Sequence, residues 1–268
     1  MSHERWLGLS SSSFWITGAG TGFGRAIAVA LGCAGGRVFL TGRRKAKLEE
    51  TLHEAEGFGA DSRNFCLLPA DITSESEISA VVEIMATAQP PLCGVVNSAA
   101  LPQRRRVQWP LSEESVDFWN EILRTNLLGS WLVTKSALPV MVRHGAVRVL
   151  FLSSEAGWAN TAGFGQYNVC KAALNSLGFS MAEECAKRYP HLDVQMNVLV
   201  PGEAKTEMNQ GSNNSPYTVV SMALLLLSHP KGGPNGKFFH RDGRHLEFAY
   251  SSVYSKSVGD VQEFGGSK

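Results

Sequence analysis

The chain has 268 residues, 44% hydrophobic and 18% charged, with a formal net charge of +1 at pH 7. That length supports one large domain with its own core, and the composition is that of a soluble globular protein. The near-neutral balance argues against nucleic acid or an anionic membrane as the main partner. In chain order, residues 1–12 read as a loose arm, and Phe14–Thr17 as a first short strand. Helix Phe23–Cys33, strand Arg37–Thr41, helix Lys45–Gly57, strand Asn64–Pro69 and helix Ser74–Ala88 follow. Ser74 with Glu77 makes a capping box at the last of these. Strand Cys93–Asn97 precedes one long helical pattern, Ser112–Arg143. Strand Val147–Ser153, helix Gly165–Arg188, strand Asp193–Val200, helix Pro216–Ser228 and a short strand near Gly236–His240 complete the series. Residues 241–268 form a tail whose aromatics Phe248, Tyr250, Tyr254 and Phe264 would pack on the body or on another subunit.

Several strands are continuous apolar runs, VRVLFL at 147–152 and VQMNVLV at 194–200. Such runs suit a parallel sheet covered on both faces. Repeated strand–helix units then imply a doubly wound, Rossmann-like α/β fold in three layers, a single domain over 1–268. The five cysteines are scattered, with no C-x-x-C spacing, as expected of reduced thiols in a cytoplasmic protein. No signal peptide or membrane span is expected, since the longest apolar run is Met222–Leu227. The histidines show no metal-ligand spacing, so no metal is expected.

After the first strand comes TGAGTGFG, Thr17–Gly24, and then a helix. Glycines let a backbone bend around a pyrophosphate, and a helix N-terminus offers free N–H groups and partial positive charge. Gly18, Gly20, Thr21, Gly22, Phe23 and Gly24 therefore form the expected nucleotide-binding turn. At the end of the second strand, where an acid would accept hydrogen bonds from a ribose 2′-hydroxyl, the chain reads FLTGRR. Gly42 offers no carboxylate, and guanidinium suits a 2′-phosphate. Arg43 is the better placed of the pair, and Arg44 equally suits an exposed helix start. NADP(H) is the expected cofactor. After the third strand, Asp71 (followed by Ile72) would accept from an adenine amino group or form a loop turn. Asn97 would run beside the cofactor ribose or tie neighbouring strands together.

With Asn126, Ser154, Tyr167, Lys171 and PGEAKT at 201–206, these residues fall in the order and spacing of the short-chain dehydrogenase/reductase family, which the chain resembles over roughly 13–240. The resemblance implies a nicotinamide cofactor and a Ser-Tyr-Lys site with a helper Asn. There are departures. The family's N-N-A-G is NSAA here, with Ala100 in place of glycine; Cys170 precedes the lysine; and Thr21 stands where a basic residue is frequent. The last puts more of any NADP preference on Arg43.

Tyr167 and Lys171 lie four apart, one turn of helix. Moving a phenol from about 10 to about 7 needs roughly 4 kcal/mol of preferential phenolate stabilisation. A fixed ammonium and an oxidised nicotinamide ring would contribute to it. Tyr167 would then exchange a proton with the substrate oxygen while Lys171 bonds the nicotinamide ribose. Ser154 would hold that oxygen, with Ser153 as the competing choice. The resemblance implies that Asn126 anchors a proton-relay water; its other readings are a local kink or a buried hydrogen bond. Pro201 and Gly202 would turn the chain beside the cofactor, and Thr206 would bond the carboxamide. Residues 203–217 read as a substrate lid. Trp158 and Phe164 would wall the pocket or pack the core, and Arg104–Arg106 would lie in solvent or face an acidic substrate. His240, Arg241, Arg244 and His245 are expected at a surface or subunit contact.

The expected activity is reduction of a ketone or aldehyde by a homodimer or homotetramer. Rivals are a dehydratase or epimerase that regenerates its cofactor, and a non-enzymatic nucleotide sensor.

Overall fold

The computed structural model describes residues 8–103, 111–159 and 162–246. Seven strands form one parallel sheet in the order β3-β2-β1-β4-β5-β6-β7. They are β1 Ser13–Thr17, β2 Arg37–Thr41, β3 Phe65–Leu67, β4 Leu92–Asn97, β5 Ala146–Leu152, β6 Asp193–Val200 and β7 Phe238–His240. The helices are α1 Gly22–Cys33, α2 Lys45–Gly57, α3 Glu75–Met85, α4 Val116–Leu123, α5 Ser130–Val142, α6 Gly165–Arg188 and α7 Val220–Ser228.

Successive residues of a strand point to opposite faces, so each apolar run feeds two cores. Trp15, Phe39, Val95, Phe151 and Met196 pack in one layer with residues of α3, α5 and α6. Their neighbours Phe14, Ile16, Leu40, Val96, Leu150 and Leu199 pack in the other, with Ile27 of α1, Leu48 of α2 and Ala223 of α7. The strand order reverses between β1 and β4, which opens a crevice at the carboxyl edge. There Thr17 pairs with both Thr41 and Asn97, and Asn97 with Phe151.

Several expectations need correction. The helix expected over Ser112–Arg143 is not one helix: α4 begins at Val116, and a π-helical stretch, Arg124–Gly129, separates it from α5. Asn126 lies in that stretch, and Asn is a weak helix former there. β3 is shorter than expected, although Leu68 N–H still donates to Leu40 O. The capping box at α3 is half-formed. The Glu77 N–H donates to Ser74 Oγ, but the Glu77 carboxylate accepts from the Asp71 N–H rather than from Ser74. Residues 8–12 are not loose: Leu9–Ser11 form a 3₁₀ turn, Leu9 packs on the second core and Ser12 is buried. Arg104–Arg106 and the tail aromatics lie outside the described residues.

Candidate active site

The segment between β1 and α1 is built around backbone that only glycine tolerates. Gly18 has φ +64°, and a Cβ there would lie 2.7 Å from the Ala99 backbone. A Cβ on Gly24 would lie 2.4 Å from the Gly18 carbonyl oxygen, so Gly24 serves the close packing of α1 on the turn. Arg25 stiffens the turn by donating Nε–H to Gly20 O at 3.0 Å.

Of the residues expected to hold a cofactor, Gly18, Gly20, Thr21, Gly22, Phe23, Arg43, Arg44, Asp71, Ile72 and Thr206 line one cleft at the carboxyl edge. Gly24, Asn97, Tyr167, Lys171, Pro201 and Gly202 are not on its wall. Asn97 is 2% exposed and donates Nδ2–H to Thr134 Oγ1 at 2.9 Å, which ties β4 to α5 rather than to a neighbouring strand. Pro201 O accepts from Arg241 Nη1, and that guanidinium also reaches Glu203 O and Thr218 Oγ1. Arg241 therefore clamps the loop after β6 from within the subunit, where a surface or subunit contact was expected. Asp71 forms a turn: Oδ1 accepts from both N–H and Oγ1–H of Thr73 at 2.8 Å.

Among the described residues Arg43 makes no hydrogen bond or ion pair, and its guanidinium lines the cleft. Arg44 instead pairs with Glu207 at 2.6 Å. Sequence reasoning missed Lys47, which lines the same cleft. Its signal was present: it follows Arg43 by four positions, one turn into α2. Three cations at one end of a glycine-lined cleft fit a phosphorylated dinucleotide.

The Ser-Tyr-Lys residues come together behind this edge. Ser154 lies against Tyr167, and its hydroxyl lowers the phenol's pKa. Ser154 Oγ also accepts from Ala156 N–H, capping the short turn Glu155–Gly157. Ser153 turns inward and donates to Asn175 Oδ1 at 2.5 Å. Lys171 Nζ lies 5.6 Å from the Tyr167 ring centre and donates to Leu152 O at 2.8 Å. Burial dominates the acidities. It pushes Tyr167 up to about 12, against a smaller lowering by the Ser154 hydroxyl, and Glu155 and Cys170 add to the rise. It pushes Lys171 down to about 8. In the chain alone burial thus leaves the phenol less acidic than free tyrosine, whereas the expected lowering belongs to the site with an oxidised nicotinamide ring in place.

Asn126 does not offer its side chain to solvent. Oδ1 accepts from Leu101 N–H at 2.7 Å and Nδ2–H donates to Leu101 O at 3.0 Å. This two-point clasp holds the loop after β4, whose Ser98–Leu101 segment lines the cleft. Phe164 is 44% exposed with its ring 6.3 Å from that of Tyr167, and Trp158 meets Phe238 edge-on. His240 is largely buried, between Glu155 at 3.5 Å and Asp242 at 2.8 Å, rather than at a surface.

Residues 13–216 match the family model described as short chain dehydrogenase. The chain belongs to the short-chain dehydrogenase family. It is 27% identical over 222 residues to an uncharacterized oxidoreductase of Staphylococcus aureus, covering 81% of this chain and 90% of that one. It is 31% identical over 196 residues to 11-beta-hydroxysteroid dehydrogenase 1A of Arabidopsis thaliana, covering 73% of this chain and 53% of that one. A short-chain type dehydrogenase/reductase from Mycobacterium ulcerans has a similar structure, with TM-score 0.77, 25% identity and coverage of 92% and 94%. So does a Beutenbergia cavernae protein provisionally assigned as an NAD(P)-dependent gluconate 5-dehydrogenase, with NADP at low occupancy (TM-score 0.74, 25% identity, coverage 86% and 94%). As a short-chain dehydrogenase the chain is an oxidoreductase, and its cofactor is a nicotinamide dinucleotide. Among the described residues no helix is long and apolar enough to cross a membrane, and no cluster suits a metal ion.

Proposed function

We propose that this short-chain dehydrogenase is a cytoplasmic, NADP(H)-dependent carbonyl reductase that converts a ketone or aldehyde to an alcohol. The observation that carries the reading is Ser154 set against Tyr167, with buried Lys171 one turn away, its Nζ 5.6 Å from the Tyr167 ring centre. The phosphorylated cofactor is supported by Arg43, which has no hydrogen bond or ion pair among the described residues, by Lys47 on the same cleft, and by the NADP carried by the Beutenbergia cavernae relative.

Gly18–Gly24 would take the pyrophosphate, Arg43 the 2′-phosphate, and Thr206 the carboxamide end. When bound, the dinucleotide supplies the hydride that reaches the carbonyl carbon. Ser154 Oγ–H holds the carbonyl oxygen, and Tyr167 gives that oxygen its proton. Burial raises the phenol's pKa, so it is protonated throughout the neutral range and carries a proton to donate. Lys171, its ammonium oriented by Leu152 O, holds the cofactor ribose and re-supplies the proton. The exposed side chains of Val116, Leu128, Trp131 and Val169, on α4 to α6, supply apolar surface for a homodimer or homotetramer.

The test is Tyr167→Phe. Turnover of a carbonyl panel should fall at least about a thousandfold while NADPH binding holds, as expected when an acid–base group is removed. Undiminished turnover overturns the assignment, and turnover without net NADPH consumption would mark a dehydratase or epimerase instead.

A further inference from the structure

Glu207 stands between Thr206 and Met208, both of which line the cofactor cleft. Its carboxylate crosses to α2, with Oε2 2.6 Å from Arg44 Nη2 and Oε1 3.8 Å from Lys47 Nζ. The hydrogen bond from Arg44, and then the charges of Arg44, Lys47 and Arg25, lower the Glu207 pKa, so the group is anionic at neutral pH. The same cleft wall carries Arg43, Arg44 and Lys47 together. Of the three cations, Arg44 is therefore engaged by a carboxylate from the loop after β6, while Lys47 is held chiefly by Glu50, with Nζ 2.8 Å and 2.9 Å from its two carboxylate oxygens. A second contact, Tyr217 O–H to Glu54 Oε1 at 2.6 Å, ties the far end of that loop to α2. The loop keeps its own form through Lys205 N–H to Asn214 O and Thr206 N–H to Asn209 O. Glu207 thus projects from a structured loop.

We propose that Glu207 competes with the cofactor's 2′-phosphate for Arg44, and so sets how strongly the site prefers NADP(H) over NAD(H). The inference rests on the NADP(H) reading above. A dianionic phosphate entering beside Arg43 must displace the carboxylate from Arg44 or sit against it, and either event weakens phosphate binding. A dinucleotide with a free 2′-hydroxyl carries no charge there and leaves the pair intact. Glu207 therefore moderates the preference that Arg43 creates, which keeps the phosphorylated product releasable.

The experiment is calorimetric titration of the full chain and of Glu207→Gln with NADPH, NADH, 2′,5′-ADP and 5′-AMP. Exposed ion pairs are weak, so the expected gain is about two- to fivefold tighter binding of NADPH and 2′,5′-ADP in the variant. NADH and 5′-AMP should be unchanged. In an Arg44→Gln background most of that gain should vanish. If the wild-type chain favours NADPH but Glu207→Gln leaves the NADPH/NADH ratio unaltered or lowers it, the competition is overturned and the cofactor reading stands. If the wild-type chain shows no preference for either phosphorylated ligand, the cofactor reading itself falls, and this inference with it.

Discussion

Ser153 Oγ donates to Asn175 Oδ1 in the core, while the adjacent Ser154 lies against Tyr167 and accepts from the Ala156 N–H. Two neighbouring hydroxyls at the end of β5 thus have separate employments. Ser154→Ala should lower turnover about 10²- to 10³-fold with little loss of stability, as for removal of one donor to a developing oxyanion. Ser153→Ala should keep most activity but lose about 1–3 kcal/mol of stability, because Asn175 is left buried with an unmet acceptor. Parallel kinetics and thermal melts separate the two. Equal effects on activity would mean that the serines are misassigned.

Lys171 gives a pH prediction with a definite sign. Burial lowers its folded value from 10.5 to about 8. Between those values the unfolded chain holds a proton that the folded chain has released, so this group's contribution to stability rises with pH across the window. Lys171→Met should therefore melt higher than wild type at pH 7, with the difference shrinking toward pH 10, and should be inactive. In the wild type, kcat/KM for NADPH, which reports the free enzyme, should fall above about pH 8. A limb near the ordinary lysine value would contradict the burial argument.

Asn126 clasps both backbone groups of Leu101. Asn126→Ala leaves that N–H and C=O to find water, at a cost of about 1–3 kcal/mol for each group that stays buried and unpaired. Because the loop it holds lines the cleft, NADPH affinity should drop along with turnover. Asn126→Asp, which keeps the acceptor and loses the donor, should fall between alanine and wild type at neutral pH. An Asn126→Ala variant with normal NADPH affinity would detach this residue from the cleft.

Glycines near the cleft and far from it should respond differently. Gly24→Ala drives a methyl onto the Gly18 carbonyl oxygen and should cost about 1–3 kcal/mol with loss of dinucleotide binding. Gly57→Ala, where nothing lies within 4 Å of the new methyl, should be neutral or stabilise α2 by up to about 1 kcal/mol.

Arg43→Asp should reverse the cofactor preference, weakening NADPH far more than NADH. Charge-assisted phosphate bonds would be replaced by like-charge repulsion. Steady-state KM values for the two dinucleotides measure it.

The parallel sheet was legible in the sequence because VRVLFL and VQMNVLV carry no polar face. The glycine turn was legible because Gly18 and Gly24 are demanded by backbone contacts that leave a spacing signature. The π-helical stretch at Asn126 was not, since Ser112–Arg143 keeps an unbroken apolar period and the irregularity lies in hydrogen bonding. Nor were Glu207 and Arg241, whose partners are more than twenty positions away in sequence and are fixed only by the fold. Choosing Ser154 over Ser153 needed the direction of two side chains, and adjacent residues of one type do not disclose that. The burial that raises the Tyr167 pKa was not legible either, because four-residue spacing shows a neighbour's charge but not the loss of solvent.

The placement of β1 beside β4 and β4 beside β5 divides labour along the chain. The first hundred or so residues supply the floor on which a nucleotide would rest, and the proton-handling groups arrive only with β5 and α6. A nick in the loop between β4 and α4 would therefore leave the glycine turn and Arg43 on one piece, and Ser154, Tyr167, Lys171 and Thr206 on the other.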